Sequence, residues 1–350
     1  MQEVKIGSYK VGPAHPPFIV AELSANHNGS LKRALKTVEA VKKAGAHAIK
    51  LQTYTADTIT LNLRTKEFMI SDKKSLWFGK NLYDLYQEAY TPWEWHKTLF
   101  DHARKLGLIA FSTPFDETAV DFLETLHVPC YKIGSLEIVD LPLIKKVAAT
   151  KKPLILSTGG ATLAEIKAAV QVAREGGCKQ LVLLKCTTAY PTQPKECHLR
   201  TLPDLAKKFG TLVGLSDHTM GICVPVASIS LGAVLIEKHF TLSRADGGVD
   251  SAFSMEPEEL KALVVETGKA WEALGNVHYG PLPAEKTSLS HRPSLFFSKD
   301  LKAGATVGIK DIVSVRPALG LPPKESEAIC GLKLSAAVKK GTPVAWKHFK

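Results

Sequence analysis

Eight short apolar runs of this chain end in side chains that can bind anions, ligate metals or move protons. The first, "FIVAEL", leads into "AELSANHNGS" and brings Glu22, Asn26 and His27. The others end with Lys50 and Gln52, with Ser112 and Thr113, with Lys132 and Ser135, and with Ser157 and Thr158. The last three carry Lys185, Thr188 and Tyr190, then Ser216, Asp217 and His218, then Glu237, Lys238 and His239. Taken singly, each has a structural explanation: a Ser or Thr after a strand often caps a helix, and a lone His is commonly a satisfied core residue. Capping does not account for Lys50, Lys132 and Lys185 inside apolar runs, because a buried ammonium is costly without an anionic partner. Two or more such lysines, with hydroxyls around one mouth, suit a phosphate or a carboxylate. His218 and His239 close the seventh and eighth runs. They could meet at one metal ion through imidazole nitrogens, with water and substrate completing its shell, or remain two separate core residues.

These groups need a frame that brings strand ends together. The apolar runs alternate with helix-period segments such as "LKRALKTVEAVKKAG" and "TLAEIKAAVQVAREGG", often closed by glycine. Continuous apolar strands alternating with helices predict a parallel sheet buried on both faces. Eight units favour a (β/α)8 TIM barrel over a doubly wound dinucleotide fold, since "SANHNGS" replaces the glycine-rich turn after the first strand. In such a barrel the C-terminal strand ends converge on the active site. The connection over residues 53–91 is far longer than a usual βα loop, as loops covering active sites often are.

Near residue 280 the character changes, and "GPLPAEKTSLSHRPS" reads as a linker. The expected organisation is a barrel over 1–279, a linker over 280–292 and a second domain over 293–350. Within the latter, residues 297–312 and 334–349 align without a gap, sharing Ser298/Ser335, Lys302/Lys339, Gly304/Gly341, Val307/Val344 and Lys310/Lys347. That duplication predicts a small, mostly β module with approximate two-fold symmetry.

The whole chain sets limits. Its 350 residues carry 45 Lys and Arg against 34 Asp and Glu, a formal charge of +11, yet no long basic run with interleaved aromatics appears, so no nucleic-acid partner is expected. The six cysteines form no CxxC pair and the N-terminus lacks a secretion-signal layout, which predicts a cytoplasmic protein. The longest apolar stretch, "VPVASISLGAVLI", is too short for a bilayer and reads as a helix running into a strand, with no membrane role.

The motifs "AELSANHNGS", "AIKLQTY", "FSTPFD", "YKIGS", "LSTG", "CTTAYP", "GLSDHT", "EKHFT" and "DSAFSMEP", in this order, resemble the sialic acid synthase family of phosphoenolpyruvate-dependent nonulosonate synthases. The likeness spans nearly the whole chain and leans to the pseudaminic branch; the C-terminal module resembles the antifreeze-like (SAF) domain these enzymes carry. The resemblance implies condensation of phosphoenolpyruvate with an open-chain amino sugar, assisted by a divalent metal ion, Mn2+ or Mg2+. It implies His218 and His239 as metal ligands, and Lys50, Thr113, Lys132, Ser135, Ser157 and Ser216 as the phosphoenolpyruvate cradle. Glu22, Gln52, Tyr190, Asp250 and Phe253 fall where family members meet the sugar or manage protons. Arg316, in "VRPALGL", matches an arginine that one subunit inserts into its partner, implying a domain-swapped homodimer. Thr188 departs from the Asn of the neuraminate-type motif.

The branch implies a 2,4-diacetamido-2,4,6-trideoxy sugar and a pseudaminic acid product; N-acetylneuraminate or legionaminate synthesis is the nearest alternative. A non-catalytic sugar-binding protein is the alternative of another class. A binder of a neutral sugar, however, has no need of a phosphate cradle.

Overall fold

The computed structural model describes residues 3–350, which form two compact units, 3–275 and 276–350. The first begins with an antiparallel hairpin, β1 (Val4–Ile6) and β2 (Tyr9–Val11). Eight parallel strands follow: β3 (Phe18–Glu22), β4 (Ala48–Thr53), β5 (Ile109–Pro114), β6 (Tyr131–Ile133), β7 (Leu154–Ser157), β8 (Leu181–Cys186), β9 (Leu212–Ser216) and β10 (Ala233–His239). They pair in chain order, and β10 closes on β3 with Glu22 opposite His239. The (β/α)8 barrel expected from the alternation is therefore the observed architecture.

Local sequence explains the crossovers. The helix Leu31–Ala44 starts where the Ser30 side chain accepts from the Arg33 amide at 3.2 Å, and ends at Gly45, whose φ of +89° needs glycine. It turns Ala34, Val38 and Val41 inward, on one helical face. The helix Leu163–Glu175 opens with a capping box between Thr162 and Glu165. Gly214 in β9 is glycine for a packing reason, since a methyl group there would collide with the Leu235 carbonyl of β10.

The β1–β2 hairpin stops the end of the barrel where the strands begin. Val4, Ile6 and Val11 join the main core, and the Lys5 amide donates to Gln180 just before β8. Tyr9 packs edge-on against Phe18 at the start of β3 and against His47 just before β4. Strand parity then sorts the side chains of the opposite end: in β4, Ile49 and Leu51 take one face and Lys50 and Gln52 the other. Among the described residues no helix is long and apolar enough to cross a membrane.

The 276–350 unit has its own core, built on Leu295, Phe297, Val307, Ile329, Leu334 and Val344. Strands β11 (Ser294–Phe297) and β12 (Ile312–Val315) pair antiparallel. The duplicated halves repeat their contacts. Ser298 Oγ donates to the Lys310 carbonyl at 2.8 Å, and Ser335 Oγ donates to the Lys347 and His348 carbonyls at 3.4 and 3.1 Å. Gly304 and Gly341 both have positive φ, +79° and +81°.

Candidate active site

The C-terminal ends of the barrel strands surround a cavity of about 460 Å³. Its floor is charged. Lys50 Nζ donates to Thr113 Oγ1 at 3.1 Å, and lies 3.6 Å from Glu237 Oε1; Lys132 Nζ lies 3.9 Å from the same oxygen. Both lysines are almost fully buried. Lys132 otherwise donates to the Ile133 carbonyl at 2.8 Å. Ser216 Oγ approaches Glu237 Oε1 at 3.5 Å, and Ser135 Oγ accepts from the Gly159 amide at 3.1 Å. Buried Ser157 Oγ and Glu237 Oε2 have no hydrogen-bond partner, so polar valences are left facing the cavity.

Glu22 is placed differently. Its carboxylate pairs with Lys50 and accepts from the Ser24 amide at 3.0 Å, below the cavity lining rather than in it. Burial, reinforced by the Glu237 charge, pushes the Glu22 carboxyl up to about 7 despite Lys50. Burial also acts on Glu237, but Lys132 and Lys50 outweigh it and hold that carboxyl below its ordinary range. Lys50 is raised because its two carboxylates outweigh its burial, whereas burial lowers Lys132, which has only the more distant Glu237.

His218 and His239 stand side by side, ring centroids 5.4 Å apart. His218 Nδ1 lies 2.8 Å from the Thr187 carbonyl, which makes Nδ1 the protonated nitrogen and leaves Nε2 as a lone-pair donor for a ligand. His239 Nδ1 is buried without any partner. Burial, then the neighbouring positive charges beginning with His218, keeps His239 well below the ordinary imidazole range, hence neutral. Two imidazoles, one fixed by a backbone carbonyl and one with an orphaned nitrogen, fit a divalent ion. Among the described residues no third His, Cys, Asp or Glu completes a protein-only cluster, so such an ion would take water or substrate into its remaining positions.

The upper part is apolar and aromatic. Tyr190 packs against His218 at 4.4 Å and against Phe253 at 4.9 Å between ring centroids. The 53–91 connection contributes Ile59, Ile70, Trp77 and Leu82 to the wall. Trp77 bridges the mouth: its ring lies 5.8 Å from that of Tyr190, and its Nε1 donates to the Val249 carbonyl at 3.0 Å. Asp250 accepts hydrogen bonds from Ser24 Oγ and the Ala25 amide, and burial raises its carboxyl. Gln52 and Tyr54 line the same side.

Of the residues singled out in the sequence, Lys50, Gln52, Thr113, Lys132, Ser135, Ser157, Tyr190, Ser216, His218, His239, Asp250 and Phe253 line this cavity, and Thr188 does too. Arg316 is an exposed residue of the 276–350 unit. Lys185 is not in the lining; it donates to the Cys186 carbonyl at 2.6 Å and to Thr187 Oγ1 at 3.1 Å, a local structural role. Asn26 is structural as well, donating to the Phe240 carbonyl and to Ser254 Oγ, both at 2.9 Å. Glu237, named at its strand end but given no role there, lines the cavity, and Tyr54, Glu137, Cys186 and the Ile59–Leu82 wall are among the lining groups that sequence reasoning did not select; the one signal for the wall was the length of the 53–91 connection.

Comparison with known proteins bears on this geometry. Residues 37–279 match the NeuB family and residues 292–350 the SAF domain. The chain is 45% identical to a pseudaminic acid synthase of Helicobacter pylori, over 94% of this chain and 97% of that protein. It is 37% identical to an N,N'-diacetyllegionaminic acid synthase of Legionella pneumophila, over 95% of this chain and 94% of the relative. Among solved structures, the N-acetylneuraminic acid synthetase of Leptospira borgpetersenii in complex with citrate superposes with a TM-score of 0.73 at 31% identity, covering 82% of this chain and 95% of that one.

Proposed function

Because the chain belongs to the NeuB family, we propose that it condenses phosphoenolpyruvate with an open-chain 2,4-diacetamido-2,4,6-trideoxy-altrose, giving pseudaminic acid and phosphate. The observation that carries this reading is the division of one cavity into a floor with two buried lysines and a wall of Ile59, Ile70, Trp77 and Leu82. The floor suits a small dianion. The wall suits a sugar bearing a methyl and two acetyl groups in place of hydroxyls, and the identity to pseudaminic acid synthases supports the same choice.

In this reading Lys50 and Lys132 hold the phosphate and carboxylate of phosphoenolpyruvate, with Thr113, Ser135, Ser157 and Ser216 donating hydroxyl hydrogen bonds. Gln52, Tyr190, Asp250 and Phe253 orient the sugar. His218 and His239 hold a divalent ion, Mn2+ or Mg2+, whose contribution when bound is Lewis-acid polarisation of the sugar aldehyde. C3 of phosphoenolpyruvate bonds to the aldehyde carbon with its C2=C3 π pair, the aldehyde π pair moves onto oxygen, which takes a proton from water to become a hydroxyl, and C2 is left electron-poor. Water then adds at C2, and the C2–O bond to phosphate breaks. Of the two buried carboxylates, Glu237 belongs to the cavity lining and Glu22 does not, and Glu237 takes the proton of that water once substrate anions offset the lysine charge. Glu22 acts behind it, keeping Lys50 charged and in place.

The proposal extends to a domain-swapped homodimer in which Arg316, exposed on its own unit, reaches the partner's sugar. It also extends to the cytoplasm, where phosphoenolpyruvate is made; the six cysteines, all free, suit a reducing compartment. Mass spectrometry of products from phosphoenolpyruvate and a panel of amino sugars tests the reaction. A nine-carbon 2-keto acid from the diacetamido sugar, with one phosphate released per product, is expected. Equal or better use of N-acetylmannosamine overturns the sugar assignment in favour of neuraminate synthesis, and no carbon–carbon bond with any sugar overturns the enzyme.

A further inference from the structure

Lys238 lies between Glu237 and His239 on β10, so it points to the opposite face of the sheet from those two residues. It is 2% exposed, and its ammonium is fully used. Nζ donates to Asp217 Oδ2 at 2.6 Å, to the Thr219 carbonyl at 2.6 Å and to the Gly221 carbonyl at 3.3 Å. The Asp217 carboxylate in turn accepts from Thr219 Oγ1 at 2.9 Å and from the Thr219 amide at 3.2 Å. The Asp217 amide donates to the Glu237 carbonyl at 2.9 Å. These bonds grip the backbone on both sides of His218.

A buried ion pair is a poor way to gain stability, since a well-packed apolar pair of the same volume often does as well or better. What it supplies here is a fixed geometry. The His218 ring is held at Nδ1 by the Thr187 carbonyl at 2.8 Å, with Cys186 Sγ 3.9 Å from the same nitrogen, and the carbonyl sets which nitrogen is protonated. It does not fix the backbone that carries the ring. Residues 217–221 follow β9 as a turn, and the following helix begins only at Cys223. Three acceptors on that turn converge on a single ammonium rooted in the strand that carries His239.

We propose that Lys238 is a positioning residue which, through Asp217 and the 217–221 backbone, holds the His218 imidazole at the separation from His239 that a shared divalent ion requires. The inference rests on the metal reading given above. Its substrate-side prediction is selective: no hydrogen bond of the Lys238 ammonium goes to Lys50, Lys132 or a hydroxyl of the cradle, so phosphoenolpyruvate affinity is expected to change far less than metal affinity.

The test uses full-length protein stripped with a chelator, with isothermal titration of Mn2+ and, separately, of phosphoenolpyruvate, and thermal unfolding as a control. Lys238→Met is expected to weaken Mn2+ binding by about 10- to 100-fold, the usual cost of losing a group that orients a ligand, while phosphoenolpyruvate affinity stays within about twofold. Thr219→Val removes one hydrogen bond to Asp217 and leaves both charges paired, so it serves even if Lys238→Met does not fold; a smaller loss of Mn2+ affinity is expected. Unchanged Mn2+ affinity in folded Lys238→Met, or in Thr219→Val, overturns the proposal. So does a parallel loss of both affinities, which marks a merely structural role. Failure of the unmodified protein to bind Mn2+ overturns the metal reading and the clamp with it, and is distinct from intact binding that the variants leave untouched.

Discussion

Lys50 of β4 and Lys132 of β6, two strands apart in the barrel, approach one and the same oxygen, Glu237 Oε1, at 3.6 and 3.9 Å. Neither ammonium makes a tight pair with it: Lys50 is paired with Glu22 and donates to Thr113, whereas Lys132 has only the Ile133 carbonyl as a close partner and keeps the more open charge for an incoming anion. Lys132→Met is therefore expected to lower kcat/KM for phosphoenolpyruvate by about 100- to 1000-fold, the scale on which losing a preorganised electrostatic contact acts. Adding Glu237→Gln to Lys132→Met should restore part of the lost thermal stability, by removing the uncompensated carboxylate, and none of the activity. Steady-state kinetics together with thermal unfolding check both halves.

Glu22 gives a pH prediction with a definite sign. Its carboxyl is raised from 4.5 to about 7 in the folded protein, chiefly by burial. The fold thus binds this proton more tightly than the unfolded chain, and the associated stability is fully present below about 4.5 and lost as pH rises through about 7. Relative to Glu22→Gln, which cannot titrate, the unmodified protein should lose stability across that window and run parallel to the variant above it. Denaturant unfolding of both proteins at pH 5, 6, 7 and 8, as about four spaced points, reads the difference; a constant gap would overturn the placement of this proton.

Trp77 is the test of the apolar wall. Its ring faces Tyr190 and its Nε1 is tied to the Val249 carbonyl. Trp77→Ala should raise KM for the diacetamido sugar by about tenfold or more and leave KM for phosphoenolpyruvate nearly unchanged. Equal effects on both substrates would show that the residue supports the whole mouth rather than the sugar.

For Arg316, subunit mixing separates action in trans from action in its own chain. Arg316→Ala and Lys50→Met protein, each inactive alone and mixed under conditions of proven exchange, should recover about a quarter of the unmodified activity, since half the dimers would carry one intact site out of two. No recovery would assign the arginine to its own barrel, and full activity of Arg316→Ala alone would leave it no catalytic role.

Much of this architecture is legible in the chain because the barrel strands are apolar runs that recur between helix-period segments and their polar ends stand out against them. The hairpin of β1 and β2 is not legible: each strand has three residues, too few for periodicity to show. The helix Thr201–Phe209 is obscured by Pro203 and by the absence of a side-chain cap at Arg200. Lys185 has the same sequence setting as Lys50 and Lys132, an apolar strand, but strand parity turns it out of the cavity lining, and parity is fixed only by barrel register. The duplication in the C-terminal unit is readable because the two halves share residues at matched positions without a gap, and the serine-to-carbonyl bonds Ser298 to Lys310 and Ser335 to Lys347 are the structural reason for one such match. The Ile59–Leu82 wall was not, since its residues are irregularly spaced in a connection whose path depends on tertiary contacts such as Trp77 to Val249.

The hairpin that stops the barrel has a consequence for traffic. With Val4, Ile6 and Val11 packed into the core at the strands' beginnings, both reactants and both products must share one doorway. The lysine floor lies beneath the wall of Ile70 and Trp77, so a sugar seated against that wall stands over the way down. Under the proposed reaction phosphoenolpyruvate would enter before the sugar and the nine-carbon acid would leave before the next turnover, so that traffic through the opening would run as a queue.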